Sequence, residues 1–204
     1  GIAALGAALM FAFVRWERGV SHPLLPMGLF KDRGFTIGLI AIMFAFFVMF
    51  SFMFTQMLHF QLVRDKTALE AAIRFLPLPL GLGPVAANSD RIVERFGSRN
   101  VVATGLLLVS LGMGLFTTVG IGTAYPVIGA TFLLLGIGMG LTMAPSTTLV
   151  MEAVPDDKAG VGSATNDASR EVGGALGIAI GGSVLNEYYQ RSMTIPEGLE
   201  HLGT

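Results

Sequence analysis

The sequence predicts an all-α integral membrane protein, and three observations predict it. From Arg99 to Glu152 the chain runs for 52 residues without an Asp, Glu, Lys or Arg, and the turn Gly120-Ile-Gly-Thr-Ala-Tyr-Pro126 sits midway. A hydrocarbon core about 30 Å thick is crossed by roughly 20 helical residues, so this run fits two spans joined by a hairpin. A second interval free of those four residue types separates Arg33 from Arg64. The mean hydropathy is +0.68, with 52% hydrophobic and 13% charged residues. A chain so poor in charge cannot present a polar surface all round, whereas a lipid-facing surface needs none.

The elements follow in order from the charge-free gaps and the helix breakers. Residues 1–14 are apolar but too short to cross, with neither an initiator Met nor a basic leader, and read as the end of a preceding transmembrane helix. Residues 15–34 form a charged cytoplasmic linker, and a bundle of five full spans occupies 35–190. The first is expected at about 36–58. The second, about 69–88, is interrupted by Pro77, Pro79, Gly81, Gly83 and Pro84; in a bilayer, neighbouring helices and local adjustments can satisfy the backbone groups such breakers free. The third and fourth are about 101–119 and 125–151, and the fifth is about 169–188. Residues 191–204, with Pro196, Gly198 and Gly203, read as an extracytoplasmic loop awaiting one more span. The chain is thus expected to be truncated at both ends.

Lys and Arg in the connections set the orientation. One side holds nine: Arg15, Arg18, Lys31, Arg33, Arg91, Arg95, Arg99, Lys158 and Arg170. The other holds Arg64, Lys66 and Arg191, with Arg74 just inside a helix end. The richer side is expected to be cytoplasmic.

Small residues recur with helical spacing. Gly173, Gly177 and Gly181 fall every four residues and share one face of the fifth span, and Gly136, Gly140 and Ala144 do the same in the fourth. Such faces let helix backbones approach closely, and they can also let helices slide or rock. The connection Asp90-Arg-Ile-Val-Glu-Arg-Phe-Gly-Ser-Arg99 is the densest charged segment. Gly97 permits a turn, Arg95 and Arg99 can hold carboxylates or helix C-termini, and Glu94 can face a helix N-terminus. A plain solvated loop is an equal reading of these residues taken alone.

Other chemistry has no foothold. With no Cys there is neither a disulfide framework nor a thiolate metal site. No His-x-x-x-His, no paired Asp at depth and no phosphate-cradling Gly-x-x-x-x-Gly-Lys is present. The expectation is a non-enzyme with no cofactor or metal, surrounded by lipid and not partnered by nucleic acid.

Glu94-Arg-Phe-Gly-Ser-Arg99 resembles the second copy of the loop signature of the major facilitator superfamily, Gly-x-Leu-Ala-Asp-Arg-x-Gly-Arg-Arg. Surrounding blocks are similar to the fourteen-span drug:proton antiporter branch: His22-Pro-Leu-Leu-Pro26, Leu29-Phe-Lys-Asp-Arg33, Ala68-Leu-Glu-Ala71 with Phe75-Leu-Pro77, and Gly136-Ile-Gly-Met-Gly140 with Ala144-Pro145. Val154-Pro155 with Ala159-Gly160, then Asn166 with Arg170 and Gly173-Gly-Ala-Leu-Gly177, complete a series in the family's order. Glu94 stands where the family usually has Asp, and Asp90 where it has Gly. His59-Phe60-Gln61 replaces a common Tyr-Leu-Gln. The resemblance implies the second six-helix bundle of a major facilitator fold, with five full transmembrane helices plus a partial one. It further implies a multi-pass protein of the cell membrane that expels drugs or other amphipathic small molecules against entering protons, in concert with an amino-terminal half not contained here.

In such a transporter the first full span supplies candidate cavity residues. Phe50, Met53, Phe54 and Met57 offer adaptable apolar contacts, and Gln56 carries an amide that is costly in hydrocarbon. Asp90, Glu94, Arg95, Gly97 and Arg99 form the loop signature. Asn166, Asp167 and Arg170, at the expected cytoplasmic start of the fifth span, are inner-gate candidates, with Gly173, Gly177 and Gly181 as the packing face. His59, near the outer interface, reads as an ordinary snorkelling side chain, and so does Arg74. A non-transporting scaffold or channel-like subunit would also explain the packing faces.

Overall fold

The computed structural model describes residues 2–17, 19–20, 26–63, 67–120 and 122–192. Arg18, the His22-Pro-Leu-Leu part of the linker block, Arg64, Asp65, Lys66 and most of the expected loop at 191–204 lie outside the described residues. Among the described residues there are eight α-helices and no strand. They are α1 (Ile2–Glu17), α2 (Arg33–Leu58), α3 (Ala68–Arg74), α4 (Pro77–Ala87), α5 (Ser89–Phe96), α6 (Ser98–Phe116), α7 (Tyr125–Glu152) and α8 (Ala159–Ser192).

Local chemistry fixes the boundaries. Asp32 caps α2, its carboxylate accepting from the Phe35 amide at 2.9 Å. The far end of α2 widens into a π-helical turn at His59–Val63. Thr67 and Glu70 form a reciprocal capping box at the start of α3, with Thr67 N donating to Glu70 Oε2 at 3.0 Å. Pro77 begins α4, where its missing N–H costs nothing. Gly97, at φ +78°, separates α5 from α6 with a backbone conformation that side-chain-bearing residues rarely adopt.

α7 is the central helix, flanked by α2, α4 and α6, and α8 lies along α2. Each of these seams closes through glycine. A Cβ placed on Gly136 would strike the Leu78 carbonyl of α4. One on Gly138 would come 2.8 Å from the Gly105 carbonyl oxygen of α6, and one on Gly38 would come 2.8 Å from the Ser146 carbonyl oxygen of α7. Helices in lipid gain no hydrophobic free energy by meeting one another, so such close backbone approach supplies the packing that holds them. Larger side chains fill the space between. Phe132 is fully buried, stacked on Phe75 with centroids 5.2 Å apart and met edge-on by Phe52 at 5.2 Å. A second cluster, Phe35, Leu39, Ile42 and Val150, fills the opposite end.

The structure adds detail at three places. The segment expected as a span at about 69–88 interrupted by proline and glycine is two helices bent by 41° at Phe75–Leu76, just before Pro77. The charged connection at 90–99 is mostly helix, because Ile92, Val93 and Phe96 recur at helical spacing with the charged residues on the other side. The helix that carries the expected fifth span at about 169–188 begins earlier, at Ala159, since no proline interrupts 159–192 and the polar residues there are compatible with a helix. Arg170 therefore stands well inside α8, roughly 16 Å from its start at 1.5 Å per residue.

Among the described residues, three helices can cross a membrane by length and composition, or four if the bent α3–α4 pair is one span. α8 is long enough, but its glycines and polar residues dilute its apolar content and it is not among them.

Candidate functional site

The seam between α2 and α8 organises most of the residues of interest. Gly173, Gly177 and Gly181 are turned toward α2: a Cβ on each would collide with the Met43 carbonyl, the Phe47 carbonyl and the Ser51 hydroxyl respectively. The neighbouring glycines receive rings. Phe50 lies over Gly174, within 3.3 Å of where a Cβ would stand, and Phe54 lies over Gly182 at 3.4 Å. Phe50 also stacks on Phe46, with centroids 6.1 Å apart.

Beyond Gly181 the seam opens into a groove of about 450 Å³. From α2 it is lined by Phe54, Gln56 and Leu58, and from α8 by Leu185, Asn186 and Tyr189. Thr55 and His59 also border it. Thr55 donates its hydroxyl to the Ser51 carbonyl at 2.9 Å. Gln56 is 4% exposed, and its Oε1 is shut from solvent with no hydrogen-bond donor in reach.

Of the five candidate cavity residues, the structure brings Phe54 and Gln56 together on this groove. Phe50 sits farther along the same seam and Met53 is exposed. Met57 packs against the aromatic cluster around Phe132. Asn186 and Tyr189 are groove residues that sequence reasoning missed. Their signal was positional: Asn186 is four residues beyond Gly182 and Tyr189 three further, so both continue the face that Gly174 and Gly182 begin.

A second polar group lies toward the opposite end of the seam. The Arg170 guanidinium stands 5.4 Å from the centroid of Phe46 in α2, donates to Thr147 Oγ1 of α7 at 3.3 Å, and approaches Asp167 Oδ1 at 3.7 Å. Its Nε is buried without an acceptor. Asn166, one turn earlier, and Ser146 of α7 are also buried, and each has a side-chain oxygen without a partner. Asn166, Asp167 and Arg170 thus occupy neighbouring turns beside α2 and α7.

The loop-signature residues are less tied down. Asp90, Glu94, Arg95 and Arg99 are exposed, and among the described residues none forms an ion pair. Arg95 lies over Phe96, 5.5 Å from the ring centroid. Arg74, expected to snorkel, folds back on its own helix: it donates to the Glu70 carbonyl at 3.3 Å and lies 5.9 Å from the Tyr125 ring centroid. Among the described residues no group of three His, Cys, Asp or Glu could hold a metal ion.

Comparison with known proteins places these features in context. The model of the Major Facilitator Superfamily matches residues 1–178. The multidrug resistance protein Stp of Mycobacterium tuberculosis is 32% identical over 184 residues, 90% of this chain and 33% of that protein. The multidrug efflux pump LfrA of Mycolicibacterium smegmatis is 28% identical over 201 residues, 96% of this chain and 39% of the pump. The methyl viologen resistance protein SmvA of Salmonella typhimurium is 29% identical over 195 residues, again 96% and 39%. The chain therefore spans between a third and two fifths of the length of these relatives.

Proposed function

Because the chain belongs to the Major Facilitator Superfamily, a family of membrane transporters and not of enzymes, we propose that it works as part of a proton-coupled exporter of amphipathic small molecules. The observation that carries the reading is the match, along nine tenths or more of the chain, to proteins named for multidrug resistance and efflux. In this reading the described helices form most of the second bundle of the fourteen-span drug:proton antiporter branch. α1 ends the preceding span, residues 15–34 are a cytoplasmic linker, and α2, α3–α4, α6, α7 and α8 are the five spans between 35 and 190. Residues 191–204 lead to the next span from the extracytoplasmic side of the cell membrane.

Alternating access needs two bundles that rock about a shared cavity. The α2–α8 wall suits that use. It is closely packed along the bare glycine seam and carries uncharged polar groups at one end and Arg170 at the other. Of the candidates Phe50, Met53, Phe54, Gln56 and Met57, this wall carries Phe50, Phe54 and Gln56 on its substrate side, while Met57 packs toward the Phe132 cluster. Asn166, Asp167 and Arg170 are an inner gate, and the 90–99 segment is a cytoplasmic latch against the other bundle.

Inside-out membrane vesicles holding the complete transporter test this. A fluorescent lipophilic cation of fixed charge, which a pH gradient alone does not trap, should accumulate when respiration acidifies the interior and leak back when an ionophore collapses the pH gradient. Accumulation indifferent to the ionophore would remove proton coupling. None at normal membrane abundance would favour a scaffold.

A further inference from the structure

We propose that Ser146, Asn166 and Arg170 close a hydrogen-bonded network between α7 and α8 in a second packing of these helices, which α7 reaches by flexing at Pro145. The inference rests on the inner-gate reading above and gives that gate its moving part.

Three buried polar atoms are left without a protein partner in this region: Ser146 Oγ of α7, and Asn166 Oδ1 and Arg170 Nε of α8. Each has almost no surface open to a water-sized sphere, so in this packing water has no room to serve as the partner. Buried polar groups are nearly always paired, and three exceptions on neighbouring turns demand a cause. The three are also complementary. The guanidinium Nε–H only donates, the amide oxygen only accepts, and a hydroxyl does both. Asn166 and Arg170 are four residues apart and share a side of α8, and Arg170 already reaches Thr147, the residue after Ser146, at 3.3 Å. These turns therefore hold a complete set, with the Arg170 Nε–H and the Ser146 hydroxyl as donors and the Asn166 oxygen as their common acceptor. In the packing described here the guanidinium is engaged instead by Thr147 and the face of Phe46.

An independent observation shows where the helices can shift. Pro145, inside α7, has no N–H to give the Leu141 carbonyl, and a helix bends most readily at such a point. The hydroxyls around it loosen the same stretch: Thr142, Thr147 and Thr148 donate back to the carbonyls of Gly138, Met143 and Ala144 at 2.9, 3.0 and 3.3 Å, a pattern that bends helices. On α2 the Ser146 carbonyl meets Gly38, a bare surface over which it can slide. The flexible turn of α7 is thus the one that carries Ser146 and Thr147. A bend there moves both residues relative to Asn166 and Arg170, and the guanidinium exchanges Thr147 for the Asn166 oxygen.

The test is a double-mutant cycle in the complete transporter, reconstituted in liposomes under an imposed pH gradient, with a lipophilic cation of fixed charge as substrate. Ser146→Ala and Asn166→Leu each replace an unpartnered polar group by an apolar one of similar shape. Such a change stabilises a packing in which the group is unpaired and destabilises one in which it is paired. Each variant should therefore raise the midpoint of thermal unfolding in detergent while lowering the transport rate per molecule about tenfold, the scale of one hydrogen bond lost from the second packing. The double variant should be no slower than the slower single, because either change breaks the same network. A lowered midpoint, an unchanged rate in either single, or losses that multiply in the double overturns the network and leaves export standing. Should Asn166→Leu not insert, Asn166→Ala completes the cycle and the rates alone decide. A wild-type transporter that moves no cation overturns the export reading, and the gate with it.

Discussion

An arginine eleven positions into a helix of a membrane bundle needs partners to be tolerated there. Arg170 has three, of unequal weight. The approach to Asp167 at 3.7 Å is a local i,i+3 contact in which the Asp167 side chain is 64% exposed, worth a few tenths of a kcal/mol at most. The Phe46 face and the Thr147 hydroxyl belong to other helices, so they are what couples Arg170 to the bundle. Both depend on the planar guanidinium. Arg170→Lys keeps the charge but loses the stacked plane and the fork, and should cut the transport rate about tenfold with membrane abundance unchanged. Asp167→Asn should change thermal stability by no more than about 0.5 kcal/mol. Measured rates that match for arginine and lysine would reduce residue 170 to a point charge. Gln56 was legible in the sequence because a polar group at such depth demands a reason, whereas Arg170 was legible only as a charge at the start of the fifth span and not as one well inside α8. Asn186 and Tyr189 were not, since near a helix end a polar residue looks ordinary until the groove beside it is seen.

At the scale of helices, the α2–α8 seam makes the sharpest demand. A Cβ at Gly177 would already collide with the Phe47 carbonyl, which is backbone and cannot rotate away. Gly177→Leu should therefore separate the helices, at a cost above the ~1–3 kcal/mol typical of overpacking, and abolish transport. Gly114 in α6 is the control, because nothing lies within 4 Å of a Cβ there. Gly114→Ala should be neutral or gain up to about 1 kcal/mol from better helix propensity. Detergent-solubilised thermal unfolding separates the two, and equal behaviour would mean that the Gly177 face is not buried. The four-residue glycine spacing was legible in the sequence, but not which helix covers it, since periodicity reports a small face and not its neighbour. Nor was the start of α8 legible from hydropathy, which marks where a helix enters lipid and is silent on where its hydrogen bonding begins. The helical form of 89–96 was concealed by its charges, which read as loop until Ile92, Val93 and Phe96 are seen to share a side.

For the whole molecule, the asymmetry of charge becomes a statement about orientation. The turn from α4 through α5 into α6 carries Arg91, Arg95 and Arg99, and the short link from α7 to α8 carries Lys158. With Arg15, Arg18, Lys31 and Arg33, which precede the first span in the sequence, the connections counted on that side hold eight basic residues. Arg170 leaves the connection count because it stands inside α8. The connections counted on the other side hold Arg64, Lys66, Arg74 and Arg191 in the sequence, and the sequence at 117–124 has no Lys or Arg. In the proposed topology, eight against four favours the α5 end as the cytoplasmic one, since basic residues near span ends resist transfer across the membrane. Single cysteines in the otherwise cysteine-free segment report this directly. Ser98→Cys stands at the start of α6, and Gly122→Cys stands in the opposite turn, where a Cβ meets nothing within 4 Å. In intact cells expressing the complete transporter, an impermeant maleimide should label Gly122→Cys and spare Ser98→Cys, and inside-out vesicles should reverse the pattern. Labelling of both from one side would place an even number of crossings between them. That would refute α6 as a span and, with it, the proposed five-span bundle.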